Sequence, residues 1–319
     1  MSEYLAVDQG SSRTKLMARS GGFSDETRAA LDPQNSLRVI AAGEEGRRIL
    51  GAGAAYPVRG GIADIPLAAL LLRRFALRAL KRRTLAGVSA FIAARGGVPE
   101  HDREALFEVG REAGFKRVRL VSALLAGAVG AGMDIYQGRA FMAADIGRET
   151  LTCGLICNGG LLCERTERIG SVIFDRRIMA YFAEEQGLLI SSRTAEGLKK
   201  SLAGPMLRVS CRDAASGRAK TVELRSSALQ SELAPCVNRL SGAILRAIDS
   251  APAEAAGDLV DTGILLFGGG AEQYGLAEAL AGRLGIPVVT APSPEFAAVS
   301  GIRALAEGRS PKRLRYVEI

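Results

Sequence analysis

No stretch of this sequence carries the roughly 20 consecutive apolar residues that a membrane-spanning helix needs, although 48% of its 319 residues are hydrophobic. The N-terminus passes from Met1-Ser2-Glu3 directly into an apolar run, so no signal peptide or amphipathic leader is expected. Tryptophan is absent, and aromatic residues make up only 5% of the chain. Apart from Phe75, which sits on an apolar helix face, none of them falls within the basic clusters, which argues against a single-stranded nucleic-acid binder. Histidine occurs once, as His101 between Glu100 and Asp102, and no catalytic dyad surrounds it. The five cysteines lack metal-ligand spacing. Cys153 and Cys157 share a strand face with Leu151 and Leu155, and Cys163 lies on the next strand. They read as small buried hydrophobes in a reducing compartment.

The length allows two domains, each with its own core. The formal charge of +8 is concentrated in clusters. One comprises Arg73, Arg74, Arg78, Lys81, Arg82 and Arg83, a second Lys116, Arg117 and Arg119, and a third the tail residues Arg309, Lys312, Arg313 and Arg315. A solvated basic surface and a patch facing an anionic membrane both fit this distribution.

Two segments share one pattern. Leu5-Ala6-Val7 leads into Asp8-Gln9-Gly10-Ser11-Ser12-Arg13-Thr14-Lys15, and Met142-Ala143-Ala144 leads into Asp145-Ile146-Gly147-Arg148-Glu149-Thr150. Each reads as a buried strand, a tight polar turn and a returning strand. Such a repeat suggests a duplicated domain with a phosphate-loop hairpin in each half. A carboxylate at the strand end can hold a metal-bound water, and Gly10 lets the backbone approach a phosphate. Ser11, Ser12 and Thr14 supply hydroxyls, and Lys15 supplies a cation.

Between the hairpins, the pattern predicts a strand at Val39–Gly43, a short helix at Glu45–Leu50 and a helix from Pro66 with apolar Leu67, Leu70, Leu71 and Phe75. Strands at Gly87–Ala94 and Val118–Val121 alternate with a helix opened by Pro99 and a small-residue helix at 123–132, an α/β order. After the second hairpin come helices near 173–187 and 191–199, a hairpin of Met206–Cys211 with Thr221–Leu224, and a long helix from Ser226 to about Ser250. Gly263–Phe267 runs as a buried strand into Gly268-Gly269-Gly270, a turn open enough for a flat ring or a phosphate to touch the backbone.

Taken in order, these segments resemble the actin-like ATPase superfamily, and within it the MreB family of bacterial actins, which sets rod shape. Asp8–Lys15 is similar to the family's first phosphate motif, and Gly61-Ile62-Ala63-Asp64 to the segment before its membrane-loop helix. Asp145-Ile146-Gly147 stands at its second phosphate motif, and Arg168–Asp175 matches Arg-Ile-Gly-Gly-x-x-Phe-Asp. Thr194–Lys199 resembles its adenosine-contacting Thr-Ala-Glu-x-Ile-Lys, with Glu196 and Lys199 as the contacts. Gly263–Gly270 resembles the adenosine motif, and Gly285–Val288 its Gly-Ile-Pro-Val.

The resemblance implies an α/β fold of the actin-like type, a duplicated ribonuclease-H-like unit in two domains around a nucleotide cleft. Residues 1–137 form the first domain and 138–294 the second, with the helix from 295 to 319 returning to the first. ATP is expected between Asp8–Lys15 and Arg148–Thr150, with Glu196, Lys199 and Gly268–Gly270 around the adenosine. Asp8 and Asp145 hold Mg2+ through water. The implied partners are copies of the chain itself, cytoskeletal or cell-wall-synthesis proteins and an anionic membrane surface, with no nucleic acid. The implied location is cytoplasmic, peripheral at the inner face of the membrane.

Three departures bear on activity. The family's second loop reads Asp-x-Gly-Gly-Gly-Thr, and here Arg148 and Glu149 replace two glycines. Any non-glycine residue held there at positive φ adds about 1–2 kcal/mol of strain. Arg148 is a candidate phosphate partner, whereas Glu149 brings negative charge. At the family's water-orienting Glu-Glu-Pro stand Ser122, Ala123 and Leu124, which predicts weak or absent ATP hydrolysis. The stretch between Leu16 and Gly60 is short for the family's small outer subdomain. The alternatives are a nucleotide-free scaffold, a competent ATPase using Glu149, and a small-molecule kinase of the same superfamily.

Overall fold

The computed structural model describes residues 3–49 and 53–308, except the side chains of residues 36 and 37. The first half comprises β1 (Tyr4–Gln9), β2 (Arg13–Ala18), β3 (Gly21–Glu26), β4 (Ala29–Asp32), β5 (Asn35–Ala42), α1 (Gly43–Arg47), β6 (Gly53–Ala55), α2 (Ile65–Leu80), β7 (Ser89–Ala94), α3 (Glu100–Glu112), β8 (Arg117–Ser122) and α4 (Ala123–Gly130). The second comprises β9 (Phe141–Ile146), β10 (Leu151–Cys157), β11 (Gly160–Glu167), α5 (Val172–Gln186), β12 (Leu188–Leu189), α6 (Ser192–Lys200), β13 (Met206–Asp213), β14 (Ala219–Arg225), α7 (Ser226–Asp249), α8 (Ala253–Thr262), β15 (Ile264–Phe267), α9 (Leu276–Leu284) and β16 (Val288–Thr290). A final helix, α10 (Ala297–Ala306), follows.

The two halves repeat one topology. The first sheet runs β3-β2-β1-β7-β8 and the second β11-β10-β9-β15-β16. In each, three antiparallel strands are followed by two parallel ones. Central strands covered on both faces are apolar throughout, as in Leu5–Val7 and Ile264–Phe267, all buried. Parallel pairing fixes where the turns fall, because both β1 and β9 end with their carboxylates at the carboxyl edge of a sheet. Ligands collect at that edge in α/β folds.

A hydrophobic cluster fills each half, and a third joins them. The third combines Ala6 and Val121 of the first sheet with Phe141, Ile156 and Phe267 of the second, through α4 and α10. The small residues of α4 are explained by α10. A β-carbon on Gly130 would lie 1.9 Å from the Ala297 carbonyl oxygen, and one on Gly301 1.7 Å from that of Ala126. The two helices therefore touch backbone to backbone.

Several expectations are adjusted. The stretch between Leu16 and Gly60, although short, builds a three-stranded sheet β5-β4-β6 with α1 beside it. The short helix expected at Glu45–Leu50 starts earlier, at Gly43, and Leu50 lies outside the described residues. Leu85, just past the basic cluster, is 1% exposed. The left-handed cap at Lys81 turns the chain back, and Leu85 drops into the first core. Much of the basic cluster is engaged. Arg73 donates to the Ala113 carbonyl at 3.1 Å, Arg78 pairs with Asp25 at 3.4 Å, and Arg82 pairs with Glu3. The basic tail from Arg309 lies outside the described residues.

Candidate functional site

The carboxyl edges of the two sheets face one another across a cleft with a cavity of about 360 Å³. Asp8, Gly10, Ser11, Ser12 and Lys15 line it from the first half. Asp145, Gly147, Arg148, Thr150, Glu196, Lys199 and Gly268–Gly270 line it from the second. Segments up to 260 residues apart in the chain thus meet at one site, with a volume typical of small-molecule pockets.

Thr14 is the exception. Side chains alternate along β2, so Arg13 and Lys15 face the cleft while Thr14 turns away. Its hydroxyl lies 2.9 Å from that of Thr27, and the residue is wholly buried. Ser122 is likewise outside the cleft, its Oγ capping α4 by accepting from the Leu125 N–H at 3.3 Å. Ala123 does line the cavity, and it offers no polar group there.

Asp8 and Lys15 form an ion pair of 2.9 Å across the first hairpin, on paired residues of β1 and β2. Among the described residues Asp145 has no such partner. Burial, and then the negative charge of Asp8, push its carboxyl up to about 7, with Lys15 and Arg95 pulling the other way. Beside Asp8, Gln9 donates through Nε2 to the Ala68 carbonyl at 3.0 Å, while its buried Oε1 has no partner among the described residues. Two mutually repelling carboxylates and an unused acceptor form an oxygen-rich set suited to a hydrated divalent cation.

The second hairpin turn closes without strain. Among the described residues, Lys81 and Asn158 are the non-glycine residues with positive φ, so Arg148 and Glu149 do not carry the expected penalty. The turn is fixed by the Gly147 N–H donating to Thr150 O at 2.8 Å, and by Ser171 and Val172 N–H groups donating to the Gly147 and Arg148 carbonyls at 2.9 Å. Gly170 is needed for that approach, because a β-carbon there would lie 2.5 Å from Arg148 O. Arg148 pairs with Asp175 at 3.2 Å and approaches Glu196 at 3.9 Å. Glu149 lines an adjoining opening with Ser192 and Arg193, one that shares Ser11, Ser12, Arg148 and Glu196 with the cleft.

Lys199 reaches the cavity floor with its charge already matched. Its ammonium donates to Asp175 at 2.7 Å, and both residues are at most 2% exposed. The glycine turn is sterically required. A β-carbon on Gly268, whose φ is +83°, would lie 2.2 Å from Asp145 Oδ1.

Sequence reasoning did not single out Arg95, which donates to Gly60 O at 3.1 Å and to Thr150 Oγ1. Glu295, which lines the cleft and lies 3.8 Å from Arg13, and Asp175, which pairs with the cleft residues Arg148 and Lys199, were also not assigned to the site. Asp175 stood within a matched motif, and its position there is the signal that was available.

Two sheets of repeated topology with facing phosphate-loop hairpins define an actin-like protein of two domains. Solved structures share this fold. MreB 5 of Spiroplasma citri bound to AMPPNP superposes with a TM-score of 0.88 at 22% identity, covering 97% of each chain. The MamK double helical filament subunit gives 0.77 at 18% identity, over 96% of this chain and 98% of the other. The chain matches the family profile described as MreB/Mbl protein over residues 2–313, and it belongs to the MreB/Mbl family. Cell shape-determining protein Mbl of Bacillus subtilis is 28% identical over 326 residues, 97% of this chain and 98% of the relative. Cell shape-determining protein MreB of Escherichia coli K12 is 27% identical over 313 residues, 92% and 90% respectively.

Proposed function

We propose that this chain is a bacterial cytoskeletal protein that assembles with copies of itself and takes part in determining cell shape. It binds ATP with Mg2+ in the cleft and hydrolyses it slowly. The observation that carries the reading is the meeting of both phosphate-loop hairpins and the Gly268–Gly270 turn on one cavity. In support, the relatives are cell shape-determining proteins, and similar folds were solved with AMPPNP, with ADP and as a filament. The same likeness supports self-assembly, and docking to cell-wall-synthesis partners or the inner membrane face is proposed with it. The domains divide at about residues 137 and 294, a reading supported by the packing of α10 on α4 and β1.

Asp8 and Asp145 would hold Mg2+ through water, and the bound ion neutralises phosphate charge. Gly10 and Gly147 let backbone amides approach the phosphates, and Ser11 and Ser12 donate hydroxyls. Gly268–Gly270 and the α6 face carrying Glu196 flank the base. Positioning the attacking water is the protein's main contribution to phosphoryl transfer. Ala123 and the withdrawn Ser122 supply no base, so turnover is slow. Glu149 is not among the residues that line the cleft, and we do not assign it that role.

The test is purified full-length chain with Mg-ATP, following assembly by sedimentation and electron microscopy alongside phosphate release. Filaments with slow release are expected, and Ala123→Glu should raise release by roughly 10-fold or more. Calorimetry that detects no Mg-ATP binding would sink the nucleotide reading in favour of a scaffold that acts through protein contacts alone.

A further inference from the structure

Six cationic side chains line the cleft: Arg13, Lys15, Arg95, Arg148, Lys199 and Lys200. Five have a carboxylate at ion-pair distance. Arg13 pairs with Glu44 at 3.3 Å, Lys15 with Asp8 at 2.9 Å and Arg148 with Asp175 at 3.2 Å. Lys199 pairs with Asp175 at 2.7 Å and Lys200 with Glu272 at 2.6 Å. Arg95 differs. Among the described residues its hydrogen-bond acceptors are both neutral, Thr150 Oγ1 and Gly60 O, and no carboxylate lies within 4.0 Å of it. A guanidinium stays charged at any accessible pH and carries five N–H donors, so donors remain for an anion.

Its setting is stiff. Arg95 directly follows β7 of the first half, and the next residue grips the second half. The Gly96 N–H donates to Glu164 Oε1 at 2.9 Å, and Gly96 O accepts from Thr166 Oγ1 at 2.7 Å. Gly97, at a φ of +63°, sits so close that a β-carbon would lie 2.9 Å from Glu164 O. At the other contact, the Gly60 N–H donates to Ser11 Oγ at 3.1 Å. The guanidinium therefore stands where the distal ends of the two phosphate-loop hairpins converge. Its wall of the cavity, with Ala93, Val98 and Ala123, belongs to the first half, whereas Glu196 and Gly268–Gly270 belong to the second.

We propose that Arg95 is the ligand for the terminal phosphate of the bound nucleotide and makes the cleft prefer a triphosphate to a diphosphate. The proposal rests on the nucleotide reading above. With the base against Glu196 and the glycine turn, the phosphate chain would run toward the first-half wall that carries Arg95. A terminal phosphate then takes the free N–H groups in a bidentate contact, the pairing for which a planar guanidinium is shaped. A diphosphate ends short of it. Arg95 also touches Thr150 in one half and Gly60 in the other, so loss of that phosphate changes a contact spanning the cleft.

Calorimetric titration of the full-length chain with Mg-AMPPNP and with Mg-ADP tests this, comparing the parent with Arg95→Ala and Arg95→Lys. Arg95→Ala is expected to weaken AMPPNP roughly 10- to 100-fold, the value of a charge-assisted hydrogen bond, and ADP by no more than about 2-fold. Arg95→Lys keeps the charge and loses the fork, and it should fall between. Retained ADP affinity doubles as evidence that the variant is folded. Equal loss for both nucleotides in Arg95→Lys, or no loss in Arg95→Ala, would overturn the proposal. If Arg95→Ala binds neither nucleotide, a selective loss of AMPPNP in Arg95→Lys still supports it. A parent chain that binds neither removes the nucleotide reading and this assignment together, an outcome distinct from the others.

Discussion

Thr14 and Lys15 are adjacent in the chain and end on opposite faces of the first sheet, one against Thr27 and the other against Asp8. At this scale, charge and burial decide behaviour. Asp145 holds its proton up to about pH 7, whereas an unfolded chain releases it near 3.9. Between those values the native state carries a proton that the unfolded state lacks. Stability from this group is therefore complete below about pH 4 and is lost as pH rises through 7. Metal-free Asp145→Asn should remove that slope and exceed the parent at pH 8 by about 4 kcal/mol. Thermal melts from pH 4 to 8 check it, and parallel curves for the two proteins would refute it. The Lys199–Asp175 pair is a second case. Lys199→Met should cost about 3 kcal/mol, because it leaves a buried carboxylate with Arg148 alone. Adding Asp175→Asn should recover part of that loss, measured by denaturant unfolding.

The elements show what a sequence reveals and what it withholds. Both hairpins, the long α7 and the helix after Gly170 were legible, because alternation, caps and glycines mark them locally. Helix α8 and the strands β3, β4 and β6 were not, since β3 and β6 are edge strands with short or mixed patterns. In the site, Arg95 stayed hidden because its role depends on Gly60 and Thr150, which only the fold brings to it. Arg148 and Glu149 misled in another way. The glycine rule assumed positive φ, and the turn adopts another conformation, tied to Ser171 and Val172. The small residues of α4 did signal close packing, without naming the partner. Gly301→Ala should force α4 and α10 apart and destabilise by on the order of 3 kcal/mol. Gly282→Ala, in α9 with nothing within 4 Å of the added carbon, should instead stabilise by roughly 0.5–1 kcal/mol. Melting temperatures that move in the same direction for both would contradict this account of the helix contact.

For the whole molecule, the surface question is whether a net charge of +8 brings the chain to a membrane. With Leu85 buried and Arg73, Arg78 and Arg82 engaged, Arg74, Lys81 and Arg83 remain of that cluster, at about 1 kcal/mol each near an anionic surface. Co-sedimentation with anionic vesicles should therefore be detectable at low salt and disappear at high salt. Binding that persists at high salt would require an inserted apolar segment that the described fold does not present. The joining of the halves has a further consequence, one of timing. Helix α10 follows every element of both sheets in the chain, yet it completes the cluster that contains Ala6 of the first strand and Val121. A polypeptide still emerging from the ribosome lacks that helix, and its first half keeps an open apolar seam until residues 297–306 have been made.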